Sequence, residues 1–149
     1  MRFTALCVLL LLAACGTSSE EPETPAIPPA AGTDRPAEAR LFWQQFQAAV
    51  AAADIARLLT LVRVPLEVRG QLDSDPPRSL EPPALQAQLP ALLELDSGLS
   101  ETGQTMRELV HDTTPVQFAS LAAAEARLGA FVFEWSEGRW LLARVYTED

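Results

Sequence analysis

The sequence predicts an α+β domain in which N-terminal helices pack on a curved, mainly antiparallel sheet. Three observations carry that expectation. Apolar residues recur at helical spacing in two successive stretches, they alternate from Val64 through Leu66 to Val68, and they crowd two consecutive runs near the C-terminal end. A helical stripe and a pleated face each expose apolar surface, and each is buried by packing on the other.

The first helix opens after Asp34, whose carboxylate can accept the unpaired N–H groups of a first turn, and Pro36 suits that turn because it has no N–H to lose. Phe42, Phe46, Val50 and Ala53 then form a stripe that Leu41 and Trp43 widen, so the helix is expected to run to about Ala53. Asp54 reads as a second cap, followed by Ile55, Leu58, Leu59 and Val62 on one helical face. Val64, Leu66 and Val68 alternate with Pro65, Glu67 and Arg69 before Gly70, which predicts a strand with one wet face. Pro65 cannot donate to a ladder and so points to an edge or a strand start.

Asp73-Ser74-Asp75-Pro76-Pro77 reads as a loop, and its two acids as turn formers, since the ligand series and central glycine of a calcium loop are missing. Leu85, Leu89, Leu92 and Leu93 mark a helix opened by Pro82-Pro83, with Pro90 expected to break or kink it. After a loop from Ser97-Gly98 to Gly103, Thr105-Met106-Arg107-Glu108 has the form of a capping box that starts a short helix through Val110. Phe131, Phe133 and Trp135 alternate with Val132 and Glu134. The turn Ser136-Glu137-Gly138-Arg139 follows, and Trp140, Leu142, Val145 and Tyr146 complete a β-hairpin. Both faces carry bulk, so one should meet the helices while the other lines a second apolar surface, a cavity or an interface.

Ahead of this domain the chain changes character. Met1-Arg2 is a minimal basic start, residues 3–12 are apolar, and Ala13 and Ala14 precede Cys15. About ten apolar residues rise roughly 15 Å as a helix, half of the ~30 Å hydrocarbon core of a bilayer. Leu12-Ala13-Ala14-Cys15-Gly16 resembles the lipobox of bacterial lipoproteins. That resemblance implies a diacylglyceryl group on the Cys15 sulfur, cleavage before Cys15 and acylation of the new amine. Residues 1–14 are then a signal peptide, and the partner of the N-terminus is a membrane. Gly16, in place of Asp, implies an outer-membrane position facing the periplasm. The alternative is an ordinary signal peptide that ends by chance in cysteine. Cys7 cannot substitute, because Thr4-Ala5-Leu6 before it lacks small residues at the cut. A single acyl chain binds only at ~10⁴ M⁻¹, whereas two or three hold a protein stably.

Residues 15–35 form the lipidated cysteine and a flexible Pro/Glu-rich tether, with Ile27 as its only sizeable apolar side chain. Residues 36–149 form the single α+β domain. Loss of the signal removes Cys7, so no disulfide can form within the chain and packing alone must hold the domain. The net charge of −9 removes nucleic acid as a partner, because that binding needs basic patches.

Two helices joined at Asp54, a strand, an irregular helical middle and a long final hairpin form an order similar to the nuclear-transport-factor-2-like, or SnoaL-like, cone fold. Residues 42–46, 54–62, Val64-Pro65-Leu66 and 131–145 carry the likeness. It implies helices against the concave side of a curved mixed sheet, with a pocket or a dimer surface left between them. Isomerases, epoxide hydrolases, ligand binders and accessory domains share that cone, and the fold does not choose among them. A cystatin-like sheet around one helix is the alternative architecture.

Chemistry is sparse. His111 beside Asp112 could form a base oriented by a carboxylate, although a cation near a helix end is favourable through the dipole alone. Asp96, Asp112 or Glu134 could supply a pocket acid, against the default of solvated carboxylates. Trp135 and Trp140 could wall a ligand pocket, against the default of core packing. Arg63, Arg69, Arg139 and Arg144 are expected to pair with Glu67, Glu134 or neighbouring acids. One histidine and no free cysteine give no metal site, and no cofactor motif is present. The reading that follows is a non-enzymatic binding or accessory module for an envelope protein or a small apolar ligand. A cone-pocket enzyme of isomerase or hydrolase type and an inhibitor or immunity-type lipoprotein are the alternatives.

Overall fold

A computed structural model describes residues 34–70, 72, 75–99 and 103–148. The expected signal peptide, Cys15, most of the tether and Asp73 lie outside the described residues. Within them the chain is α+β, with the helices packed on a mixed five-stranded sheet.

Helix α1 (Arg35–Ala51) starts as its sequence requires, with the Asp34 carboxylate accepting the Ala37 N–H at 3.3 Å. It ends two residues short of Ala53. The Ala53 N–H donates to Val50 O at 3.1 Å and the Asp54 N–H to Ala49 O at 2.9 Å, a paired closure that needs a left-handed residue at Ala53, where φ is 51°. The Asp54 carboxylate then accepts the Arg57 N–H at 3.0 Å, so one residue closes α1 and opens α2 (Ile55–Thr60).

Strand β1 (Val62–Gly70) takes Val62 away from the expected helical stripe and pairs it with Leu142 of β5 (Arg139–Thr147). Of the two expectations for Pro65, a strand start is corrected, because Pro65 lies inside β1; β2 (Arg78–Leu80) pairs with β1 only at Leu66–Val68, so that side of the strand is free at Pro65, as an edge position requires. Pro65 is tolerated there because the β1–β5 register shifts between Val62 and Glu67, where no ladder donor is missed. The same irregularity leaves Val64 46% exposed instead of inward.

Helix α3 (Pro82–Leu93) runs through Pro90 without a break, which corrects the expected interruption. A mid-helix proline costs about 3 kcal/mol, and each fully buried leucine returns about 1.5–3 kcal/mol. Leu85, Leu89, Leu92 and Leu93 are all buried, and together they outweigh that cost. The capping box at Thr105 forms, and α4 (Met106–Asp112) extends two residues past Val110. A second box, Thr114 with Gln117 around Pro115, starts α5 (Pro115–Leu121). Strands β3 (Glu125–Leu128), β4 (Phe131–Ser136) and β5 complete the sheet in the order β2-β1-β5-β4-β3, parallel only between β1 and β5.

The helix-covered face of the sheet holds an aromatic cluster. Phe133 meets Phe42, Trp43, Phe46, Phe118 and Phe131 edge-on, at centroid distances of 5.2–6.3 Å. Trp43 stacks flat on Phe118 at 4.3 Å, and its Nε1 donates to Thr113 O at 2.7 Å, which pins the α4–α5 joint to α1.

Ala53 offers a test of the turn. Its positive φ is adopted by glycine without strain, so Ala53→Gly is expected to raise stability by about 0.5–1 kcal/mol, measured by urea unfolding; a lower midpoint would show that the turn is held some other way.

Candidate functional site

His111 and Asp112 occupy the last turn of α4, at the rim of an open groove of about 1130 Å³ between that helix and the C-terminal half of α1. Adjacent residues on a helix diverge, yet here His111 Nδ1 and Asp112 Oδ1 lie 3.0 Å apart, and Gln104 Nε2 holds the second Asp112 oxygen at 3.0 Å. Both side chains stand in water, 82% and 61% exposed. The floor of the groove is built by Ala48, Val50 and Ala51.

Gln47 ties α1 to the end of α4 beside this groove. Its Nε2 donates to Val110 O and Thr113 O, each at 2.8 Å, and so satisfies carbonyls that the end of α4 leaves unpaired. Arg107, which also lines the groove, bonds to Glu94 at 2.6 Å and to Val50 O at 3.2 Å. Neither contact could be read from the sequence, since Gln47 lies 63 residues from Val110 and no local pattern links them.

Trp135 and Trp140 border a second, smaller groove of about 360 Å³ at the hairpin end, facing Leu41 and Phe42 of α1 and Leu61. Their rings meet edge-on at 5.9 Å. Trp140 is buried, and its Nε1 has no hydrogen-bond acceptor. A donor left so costs about 1–3 kcal/mol.

The pocket acids do not assemble. Glu134 lies on the opposite face of the sheet, bonded to Arg63 at 2.7 Å and Arg144 at 3.0 Å. Asp96 caps its own loop by accepting the Gly98 N–H at 2.7 Å. No carboxylate is buried among the described residues, and the described His, Asp, Glu and Cys form no group that could hold a metal.

The outer sheet face carries a charged cluster in strands that also hold the buried Val132, Leu141 and Ala143, so the apolar surface expected there is only partial. Arg144 reaches Glu134, Glu67 and Glu125, while Glu67 also pairs with Arg69 and Arg63. The expected pairing of Arg63, Arg69 and Arg144 is thus met, whereas Arg139 lies in the hairpin groove. The hydrogen bond from Arg69 holds the Glu67 carboxyl below its ordinary value; partial burial opposes this, and the charges of Arg69 and Arg144 add to it.

Fold and surfaces together define an α+β domain with an aromatic-filled core between helices and sheet, open grooves on its outside and a charged cluster on the sheet face. No protein-family model matches the chain, and no curated protein or solved structure matches it either.

A carboxyl whose folded pKa is depressed adds stability above its unfolded pKa and loses it as the pH falls through the folded one. Glu67→Gln is expected to lower the urea midpoint at pH 7 and to narrow the gap to the parent protein below about pH 4. A gap that stays constant from pH 7 to pH 3 would contradict the assignment.

Proposed function

We propose that this chain is a lipid-anchored protein of the cell envelope, held through Cys15 to the outer membrane and facing the periplasm. Its folded part serves as a non-enzymatic binding or accessory module. The anchor reading rests on Leu12-Ala13-Ala14-Cys15-Gly16 behind a short apolar run. The helix-covered mixed sheet supports a cone-like frame. One observation carries the module reading: where a cone would keep its substrate pocket, Phe42, Trp43, Phe46, Phe118, Phe131 and Phe133 are all buried and in ring-to-ring contact. Binding is then left to the outside of the domain, with an envelope protein or a small apolar ligand as the occupant.

Acyl chains at one sulfur predict a clean fractionation result. The parent protein is expected to sediment with membranes and to carry an acylated residue 15 by mass spectrometry, while Cys15→Ser is expected in the soluble fraction. An unmodified residue 15 in a parent protein that stays soluble would overturn the anchor. For the module, cross-linking in cells is expected to recover a discrete envelope partner, or native mass spectrometry a retained apolar ligand; the absence of both contradicts it.

A further inference from the structure

We infer that β3 is a docking edge for a second copy of this chain, and that two copies pair antiparallel about Ala126 so that Glu125 of each faces Arg127 of the other. This self-pairing uses the edge of the sheet and not the grooves, and so goes beyond the module reading. Strand β3 (Glu125–Leu128) closes the sheet on one side, and no strand lies beyond it among the described residues. Its ladder with β4 runs without a register shift from Glu125–Glu134 to Leu128–Phe131. The Trp135 N–H donates to Ala124 O at 2.9 Å, so residues 124, 126 and 128 turn their backbone groups toward β4. Glu125 and Arg127 turn theirs outward. An open row of donors and acceptors is a template for another strand.

The side chains decide which strand. Sheet edges are blunted by bulges, prolines or charge. Here there is no bulge and no proline, and the two charges are of opposite sign. Glu125 stands opposite Glu134 and Arg127 opposite Val132, so both project from the outer face of the sheet. Both are exposed, whereas Ala126 and Leu128 are buried in the core. Glu125 reaches Arg144 only at 3.9 Å, against 3.0 Å for Glu134, and the Arg127 guanidinium lies over the Tyr146 ring at 4.7 Å, on that same outer face.

Only registers that set outward-turned residues against one another exchange backbone bonds. With Ala126 opposite Ala126, each Glu125 meets an Arg127. A slide by one bonded pair sets Glu125 against Glu125 in one direction and Arg127 against Arg127 in the other. Opposite charges across a strand pair stabilise it and like charges destabilise it, so charge selects the one register that is its own complement under a two-fold axis. Strand β2 at the other edge lacks this property, since Arg78-Ser79-Leu80 holds no acid for its arginine to meet. A four-residue edge covers less than the about 800 Å² per partner of a standard interface, so the dimer is weak and concentration-dependent.

The test uses residues 15–149 with Cys15→Ser, followed by sedimentation velocity from about 1 µM to about 1 mM, the range of weak association. A monomer–dimer equilibrium is expected, with hydrogen exchange slowed at the Glu125 and Arg127 amides as the concentration rises. Glu125→Arg sets arginine against arginine, and Arg127→Glu sets glutamate against glutamate. Each alone is expected to weaken the dimer at least about tenfold. An equal mixture of the two variants is expected to recover a dimer as tight as the parent's, because every opposed pair is then of unlike charge. The double variant Glu125→Arg with Arg127→Glu is expected to recover it as well, and urea midpoints near the parent's check that each variant folds.

A parent that stays monomeric throughout overturns the pairing and leaves the edge to a strand of some other protein. A dimer that neither single variant weakens, a mixture no tighter than the single variants, or unslowed Glu125 and Arg127 amides in a dimeric parent also overturns it. None of these results touches the fractionation of Cys15→Ser or the recovery of an envelope partner, so this inference and the proposed function fail separately.

Discussion

Phe133 is the residue on which the rest of the domain closes. It projects from β4, and the edges and faces of rings from α1 and α5 meet it on the helix side. Edge-to-face aromatic pairs contribute about 0.5–1.5 kcal/mol each beyond the area they bury. The described residues contain no cysteine, so packing holds their helix layer on the sheet. The contact also sets the character of the interior, because Phe42, Trp43, Phe46, Phe118 and Phe131 all gather around this one ring between the layers. Polar chemistry is accordingly pushed outward, to the water-exposed His111–Asp112 pair and to the charged face of the sheet.

That charged face answers a second constraint. The strands β1, β4 and β5 must cover one side with apolar groups for the helices and keep the other compatible with water. Arg63, Glu67, Glu134 and Arg144 do so as one connected set, with Arg144 shared between Glu67 and Glu134. Each link is worth little alone at a surface. Joined, they fix the positions of long side chains across three strands while Val132 and Leu141 lie buried in the same sheet.

Elements with strong local signals were legible from the sequence. Asp34, Asp54 and Thr105 begin helices because a cap is decided within four residues, and the hairpin at Glu137-Gly138 follows from turn chemistry. The core stripe of α1 was equally plain, with Phe42, Trp43 and Phe46 all buried. Helix α5 and strand β3 were missed although their signals were present: Thr114-Pro115-Val116-Gln117 is a capping box, and Ala126 and Leu128 alternate. Pro65 marked a locally free side of β1, as its missing donor requires. Pro90 misled because four buried leucines outweigh the local rule. At the sites, Trp135 and Trp140 border a groove while Trp140 is also buried as core packing expects, but the hold of Gln47 on α4 and of Gln104 on Asp112 depends on tertiary approach that no periodicity encodes.

The account stands on an interior packed solid around one ring. Urea unfolding of Phe133→Ala measures this directly: truncating a ring that touches five others should remove about 3–5 kcal/mol, and a variant too unstable to fold falls on the same side. A loss below about 1 kcal/mol would mean that the space around residue 133 is loosely filled, and that the domain holds an interior pocket after all.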